Sequence, residues 1–385
     1  MFLLEHHAKA LLAKRSIPVP DGAMVTAAAS WRLEDLPAGP WMVKAQVAAG
    51  GRSKAGAVKP AASPAEIAAI IASLAAAKIA NKPVHGFRIE RRIPFRHEAY
   101  LSLSLDPASC RIRILASAAG GIDVESAASD GGGSHAVLAA PEDLDAAAAE
   151  AASFLPPALR APMRDAAMRL GAAFLAYEAE LLEVNPLFVL DDGSWIAGDV
   201  KMVIDENAIM RQPAVRELLH AHPALYPESA LKLEHGFDYV EVDPEGEIGL
   251  ITTGAGLSMK LIDELQRGGA RPLNFCDIRT GQFRGDPARL IAVMRWIAAR
   301  PRVGVVLVNV FAGITDLGEF ASLFLKASQA VPELAVPVVA RLIGRNLDDA
   351  KRILAAHRDI AVETDLDRAV ERTLAVLAAR SAVHG

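Results

Sequence analysis

Lys44 lies in a strand-like run, Trp41-Met42-Val43-Lys44-Ala45-Gln46-Val47, that leads into Ala49-Gly50-Gly51-Arg52-Ser53-Lys54-Ala55-Gly56. The glycines free the backbone, and a strand-anchored cation beside exposed amides and two further cations would cradle a polyphosphate. The segment matches neither GxxxxGK[ST] nor the GxGxxG dinucleotide fingerprint, and taken alone it also reads as a solvated basic turn. A second group of side chains carries oxygen: Glu183, Asn185 and Asp199. The spacing Glu-x-Asn puts two of them on one strand face, and such hard donors suit Mg2+ whose remaining positions are filled by phosphate and water. The alternative is ordinary turn chemistry, since Asn-Pro and Asp both favour turns. Glu90 and Glu98 likewise read either as site residues or as hairpin surface charges. A third group is Thr252-Thr253-Gly254-Ala255-Gly256-Leu257-Ser258-Met259, between a strand and a helix, where unpaired helix amides would seat a carboxylate or phosphate. Asn309 to Thr315 follows a later strand in the same way. Two such loops would form one anion-binding crevice, or serve only as tight turns that need glycine for packing.

Two different textures of chain must position these groups. Leu3, Leu4, His7, Ala8, Leu11 and Leu12 recur at helical spacing, and the helix should stop before Ile17-Pro18-Val19-Pro20. Extended segments near Val84–Glu90, Glu98–Leu105 and Arg111–Ser117 follow, the last two joined as a hairpin through Asp106-Pro107-Ala108-Ser109. Residues 127–140 are small and polar and predict a loop, after which two alanine-rich helices precede a strand over Glu180–Leu190 and a turn at Asp191-Asp192-Gly193. From Glu247 onward short apolar runs at 248–251, 303–310 and 336–340 alternate with helix-length segments, the pattern of a parallel sheet covered by helices. The chain therefore predicts two domains, 1–235 and 240–385.

With 41 basic against 46 acidic residues, a formal net charge of −5, the composition argues against a general nucleic-acid or anionic-membrane footprint. No run approaches the roughly 18 apolar residues of a membrane span, and no export signal is expected from Met1-Phe2-Leu3-Leu4-Glu5-His6-His7. Cys110 and Cys276 have no CxxC or CxxH companion, so buried, inert thiols and a reducing cytoplasm are expected.

The order of motifs closely resembles, from end to end, the beta subunit of succinyl-CoA synthetase, an ATP-grasp family. The likeness rests on Glu5-His6-His7-Ala8-Lys9, Val43-Lys44-Ala45-Gln46-Val47 with the following glycine loop, Glu183-Val184-Asn185-Pro186-Leu187, and Arg211-Gln212-Pro213. It continues through Gly254-Ala255-Gly256-Leu257, Asn274-Phe275-Cys276-Asp277 and Val308-Asn309-Val310-Phe311-Ala312-Gly313-Ile314. The resemblance implies an α/β protein: an α+β ATP-grasp domain followed by a flavodoxin-like parallel α/β CoA-ligase domain. It further implies that ATP or GTP lies near Lys44, Gly51, Arg52, Ser53, Glu90, Ile93 and Glu98, that Asn185 and Asp199 hold Mg2+, and that Thr253 with Gly313, Ile314 and Thr315 meets the acid substrate.

In that family the nucleotide phosphorylates a histidine of a separate alpha subunit, the phosphoryl group passes to a carboxylate, and CoA displaces it as a thioester. None of the ten histidines here lies in a glycine-flanked loop of the phosphohistidine kind, so an alpha-type partner is expected in a heterodimer or heterotetramer. His6, His7, His97, His220, His222 and His235 read as structural or solvated. Departures from the family pattern bear on the substrate. Thr253 stands where the family has asparagine, Arg279 where it keeps bare backbone, Ala119 for a glutamate and Ala312 for a glycine. The acid is therefore expected to be succinate or a related di- or tricarboxylate such as malate. The competing expectation is a non-catalytic or regulatory subunit that kept the nucleotide grasp and lost the acid site.

Overall fold

The computed structural model describes residues 1–26, 31–121, 134–279 and 285–384, and the chain divides into two compact units, Met1–Leu225 and Tyr226–Gly385. The first opens on helix α1 (Glu5–Lys14). Its Ala8, Leu11 and Leu12 are buried, as is Leu4 just before it, and it ends before Ile17-Pro18, since a residue preceding proline is driven out of helical conformation. A four-stranded antiparallel sheet in the order β1-β6-β2-β3 follows, from β1 (Gly22–Val25), β2 (Trp41–Ala45), β3 (Val58–Ala61) and β6 (Phe87–Arg91). Helix α2 (Pro64–Leu74) buries Ile67 and Ile71 against its Val43, Phe87 and Ile89. The two-residue strands β4 (Lys78–Ile79) and β5 (Lys82–Pro83) pair with each other.

The second sheet of this unit is antiparallel and holds β7 (His97–Asp106), β8 (Arg111–Ser117), β9 (Ser134–Ala139), β10 (Ala179–Val189), β11 (Trp195–Ala197) and β12 (Val200–Ile204). Its order is β11-β10-β7-β8-β9, with β12 also on β10. Alternation in β8 turns Ile112, Ile114 and Ala116 inward. Helices α3 (Leu144–Ser153) and α4 (Pro157–Ala176) pack on this sheet, α4 burying Leu159, Met163, Leu170 and Phe174. Helix α5 (Pro213–Ala221) follows near the end of the unit.

The second unit begins with α6 (Pro227–His235) and the antiparallel pair β13 (Asp238–Glu241) and β15 (Asn274–Asp277). Leu231 of α6 packs against the apolar core of this unit, and the division between the units falls between Leu225 and Tyr226. A parallel sheet in the order β14-β16-β17-β18 forms from β14 (Ile248–Thr252), β16 (Val305–Asp316), β17 (Val338–Arg345) and β18 (Ile360–Glu363). Its strands are apolar on both sides, as a sheet covered on both faces requires. Leu250, Leu307 and Val339 meet α7 (Ala255–Arg267) and α11 (Leu366–His384). On the other face Ile251, Val306 and Val308 meet α8 (Ala288–Ala298) and α9 (Leu317–Ala330). Helix α10 (Leu347–Leu354) links β17 to β18. The mixed first unit and parallel second unit agree with the expected fold class.

Three expectations are corrected. Residues 134–139 of the expected loop are strand β9, whose Val137 and Ala139 alternate inward against β8; residues 127–133 lie outside the described residues. Cys110 is exposed in the turn between β7 and β8, while Cys276 is buried as expected, its thiol pushed up to about 12 by that burial. The segment after Asn309 is not a tight turn into a helix. It continues β16 to Asp316, with a register irregularity against β17 between Ala312 and Asp316. No helix among the described residues is long and apolar enough to cross a membrane.

Candidate functional site

The first turn of α1 puts Glu5 and Lys9 one above the other at i,i+4 spacing, and both are buried. Their partners come from the four-stranded sheet. Lys44 of β2 and Glu90 of β6 are diagonal cross-strand neighbours, since Met42 pairs with Glu90 and Lys44 with Arg88. Lys44 Nζ donates to Glu5 Oε1 at 2.9 Å, to Glu90 Oε1 at 2.6 Å and to the Gly198 carbonyl at 2.7 Å. Lys9 Nζ reaches the same three groups: Glu5 at 2.6 Å, Glu90 Oε2 at 2.8 Å and Gly198 O at 2.7 Å. An ammonium has three donors, so both lysines are fully used in this arrangement. Arg88 Nε completes the knot on Glu90 Oε2 at 2.9 Å.

Gly198 allows the approach. A Cβ there would lie 2.3 Å from the Phe188 ring and 2.8 Å from the Pro186 carbonyl, so only glycine fits between β11 and β12. The next residue, Asp199, accepts from Arg52 Nη2 at 2.5 Å, while Arg52 Nη1 donates to Glu5 Oε2 at 2.8 Å and more weakly to Ala45 O at 3.3 Å. Arg52 is carried by a loop folded back on β2, with Ala57 N donating to Arg52 O and Ala45 N to Ala57 O, both at 2.9 Å. Gly51 turns this loop at φ +76°, a conformation that disfavours side chains.

Four cations, Lys9, Lys44, Arg52 and Arg88, thus meet three carboxylates, Glu5, Glu90 and Asp199. Burial opposes ionisation of Glu5, but Lys44, Lys9 and Arg52 outweigh it and hold its carboxyl well below the usual carboxylate range. Burial also opposes the charge of Lys44, yet Glu5 and Glu90 raise its pKa. Asp199 is pushed up to about 6, by burial first and by Glu5 beside it, against the pull of Arg52. The surplus positive charge favours an anion at the open side of the knot.

That open side is a cavity of about 320 Å³ whose lining includes Gly50, Gly51, Arg52, Ser53, Lys54, Glu183, Asn185, Asp199 and Lys201. Asn185 sits in an irregularity of β10 between Val184 and Leu187 that takes it out of the ladder. Its side chain accepts from Gly121 N at 2.6 Å and donates to Gly121 O at 3.0 Å. Its backbone amide donates to Asp199 O at 3.1 Å, which ties the two residues together. No cluster of three or more His, Cys, Asp or Glu among the described residues would cage a metal. Two oxygen-bearing side chains at a cavity edge do fit Mg2+, which keeps several waters and takes phosphate oxygens in place of a full protein cage. Asn185 and Asp199 would hold it there.

The structure brings Gly51, Arg52, Ser53, Asn185 and Asp199 onto one cavity, with Lys44 and Glu90 directly beneath. Glu90 is buried in the knot, so its reading as a surface charge does not hold. Ile93 and Glu98 are half-buried and outside the cavity lining, though Glu98 O accepts from Gly120 N at 3.0 Å. Glu5, Lys9, Gly198 and Lys201 received no role from the sequence. His6 lies against Arg88 at 2.9 Å, and His7 stacks on His222 at 4.7 Å, both as structural groups.

In the second unit the ends of β14 and β16 are stitched side by side. Thr253 N donates to Asn309 O at 3.1 Å, and Phe311 N donates to Thr253 Oγ1 at 3.3 Å. Thr253 and Thr315 are buried, Gly313 is exposed, and the side chain of Ile314 lies outside the described residues. Asp277 Oδ1 accepts from Gly254 N at 2.9 Å, at the entrance to α7. The Arg279 guanidinium is paired at the β13 edge with Asp238, a carboxylate that it shares with Lys232 at 2.8 Å.

Comparison with known proteins completes the assignment. A family model described as ATP-grasp domain matches residues 2–189, and one described as CoA-ligase matches residues 251–382. A protein named succinate–CoA ligase [ADP-forming] subunit beta from Chloroflexus aggregans is 35% identical over 374 residues, covering 94% of this chain and 95% of its own. The chain belongs to the succinate–CoA ligase beta-subunit family. Within that family it is also similar to a probable malate–CoA ligase subunit beta from Mesorhizobium japonicum, 32% identical with 97% of each chain covered. The structure of ATP citrate lyase from Methanothrix soehngenii, in complex with citrate and coenzyme A, superposes with a TM-score of 0.73 at 18% identity. That match covers 97% of this chain and 99% of the other, and it shows a shared fold.

Proposed function

We propose that this chain is the nucleotide-binding beta subunit of an acid–CoA ligase that uses ATP or GTP, Mg2+ and CoA together with an alpha-type subunit. The observation that carries this reading is the cavity in which the Gly50–Lys54 loop faces the Asn185–Asp199 oxygen pair. Loop amides and the Arg52 guanidinium hold the polyphosphate, and Lys54 and Lys201, which line the same cavity, add charge at its rim. Asn185 and Asp199 would hold Mg2+ at the cavity edge, where it would supply positive charge against the charge that develops as the terminal phosphoryl group leaves. The buried knot of Glu5, Lys9, Lys44 and Glu90 fixes these groups in advance of binding, so that little reorganisation is needed.

The phosphoryl group passes to a histidine of the alpha subunit and then to the substrate carboxylate, and CoA sulfur displaces it with release of phosphate. The acid meets the loops around Thr253 and Gly313–Thr315. Relatives named for succinate and for malate support a dicarboxylate. The Thr253 hydroxyl accepts from Phe311 N at 3.3 Å and donates to Asn309 O at 3.5 Å, which leaves backbone amides to do more of the recognition.

The test is ADP release by this chain co-purified with its alpha-type partner, with Mg-ATP and CoA, across succinate, malate, citrate and several monocarboxylates. One dicarboxylate driving CoA-dependent ADP release is expected. Binding of Mg-ATP with no acid driving turnover would instead favour a regulatory subunit with a closed acid site.

A further inference from the structure

Arg52 bridges two carboxylates of unequal character. On one side Nη1 is fixed to Glu5, which is buried and also held by Lys9 and Lys44. On the other side Nη2 is paired at 2.5 Å with Asp199, whose side chain is 18% exposed and lines the cavity. Arg52, which lines the cavity where a polyphosphate would lie, is therefore engaged by the same carboxylate that would hold the metal. Lys44 and Lys9 offer no substitute, since each has all three of its donors engaged on Glu5, Glu90 and Gly198.

We propose that the Arg52–Asp199 pair, with Arg52 held on its other side by Glu5, is a latch which nucleotide and divalent cation can open only together. The inference rests on the nucleotide site proposed above and adds a coupling to it. Asp199 gives up Arg52 when it gains the metal as a counter-charge, and Arg52, still held by Glu5, turns its freed edge to the phosphates. Either ligand alone must break the pair without replacing both halves of it, so each binds weakly without the other. This coupling is reciprocal by linkage.

The experiment is calorimetric binding of ADP to the full chain, with and without Mg2+, in a double-mutant cycle. Asp199→Asn unlatches Arg52, and metal-free ADP is expected to bind about tenfold tighter than to the wild type, with little further gain from Mg2+. Simple repulsion between Asp199 and phosphate would also produce some gain, so the deciding arm is Arg52. In an Arg52→Gln background the same Asp199→Asn change is expected to alter metal-free affinity by less than about twofold. A tenfold gain that persists without Arg52 means through-space repulsion and overturns the latch. Unchanged metal-free affinity in Asp199→Asn overturns it as well. If Arg52→Gln does not give a folded chain by circular dichroism, Arg52→Lys serves as the background. Its point charge keeps the Glu5 pairing without the fork that spans both carboxylates, and the same two outcomes decide. Failure of the wild type to bind Mg-ADP would instead overturn the nucleotide site itself.

Discussion

Glu5 owes its importance to burial. Its carboxylate ties Lys9, Lys44 and Arg52 out of contact with water, and removing one partner of such a knot leaves the remaining charges desolvated and uncompensated. The sequence singled out Lys44, Arg52, Asn185 and Asp199 as candidates by residue type and spacing, but it gave Glu5 and Lys9 no role. An i,i+4 acid–base pair ordinarily reads as a solvated surface bridge. One signal was present: at helical spacing Glu5 and Lys9 fall on the same face as Ala8 and Leu12, the buried face, while Ala10, Ala13 and Lys14 are exposed. His7 on the same helix gives a measurable pH dependence. Burial, reinforced by His6 and His222, lowers its pKa from 6.5 to about 4. The unfolded chain therefore binds more protons in that window. The sign follows directly: His7 costs no stability above pH 6.5, and stability is lost as pH falls towards 4, at about 1.4 kcal/mol per pH unit. Urea midpoints of the wild type and His7→Gln should diverge in slope across this range and run parallel above it. Parallel slopes throughout would mean that His7 is protonated in the native state.

At the scale of elements, the connection between β11 and β12 decides the geometry of the cavity. Lys9 from α1 and Lys44 from β2 grip one carbonyl, Gly198 O, at 2.7 Å each, and that grip sets the position of Asp199. Gly198→Ala would force a Cβ into the Phe188 ring and the Pro186 carbonyl. A loss of about 2 kcal/mol is expected, with a fall in Mg-nucleotide affinity larger than that of Gly193→Ala in the neighbouring exposed turn. Equal affinities in the two variants would show that this carbonyl does not position the site. Strand and helix types were legible here from hydrophobic period, as in β7, β8 and the parallel strands. Two features were not. β9 is made of short, weakly apolar residues whose pairing depends on β8. The extension of β16 past Asn309 carries glycine in the manner of a turn, and only β17 alongside makes it a strand.

Over the whole molecule, each unit encloses its own core. The Phe237–Leu354 cluster and the cluster between α7 and α11 are built entirely from residues of the second unit. A fragment spanning 226–385 is expected to melt cooperatively on its own, as a domain with an independent core should. A broad, non-cooperative transition with dye-binding apolar surface would show that its core is incomplete without the rest of the chain. The texture change near residue 240 revealed the two-part plan. The position of α6 did not emerge from its polar composition, because its assignment rests on Leu231 packing against the core of the second unit.

The contrast between the two cysteines gives the molecule a natural labelling point. Cys276 is sealed in the second core with a thiol that resists deprotonation, whereas Cys110 stands exposed on a hairpin turn of the first unit. Thiol reagents attack the thiolate and need access to it. A maleimide probe will therefore mark one place on the native chain without any engineered residue, and a fluorophore there can follow assembly with a partner subunit in real time.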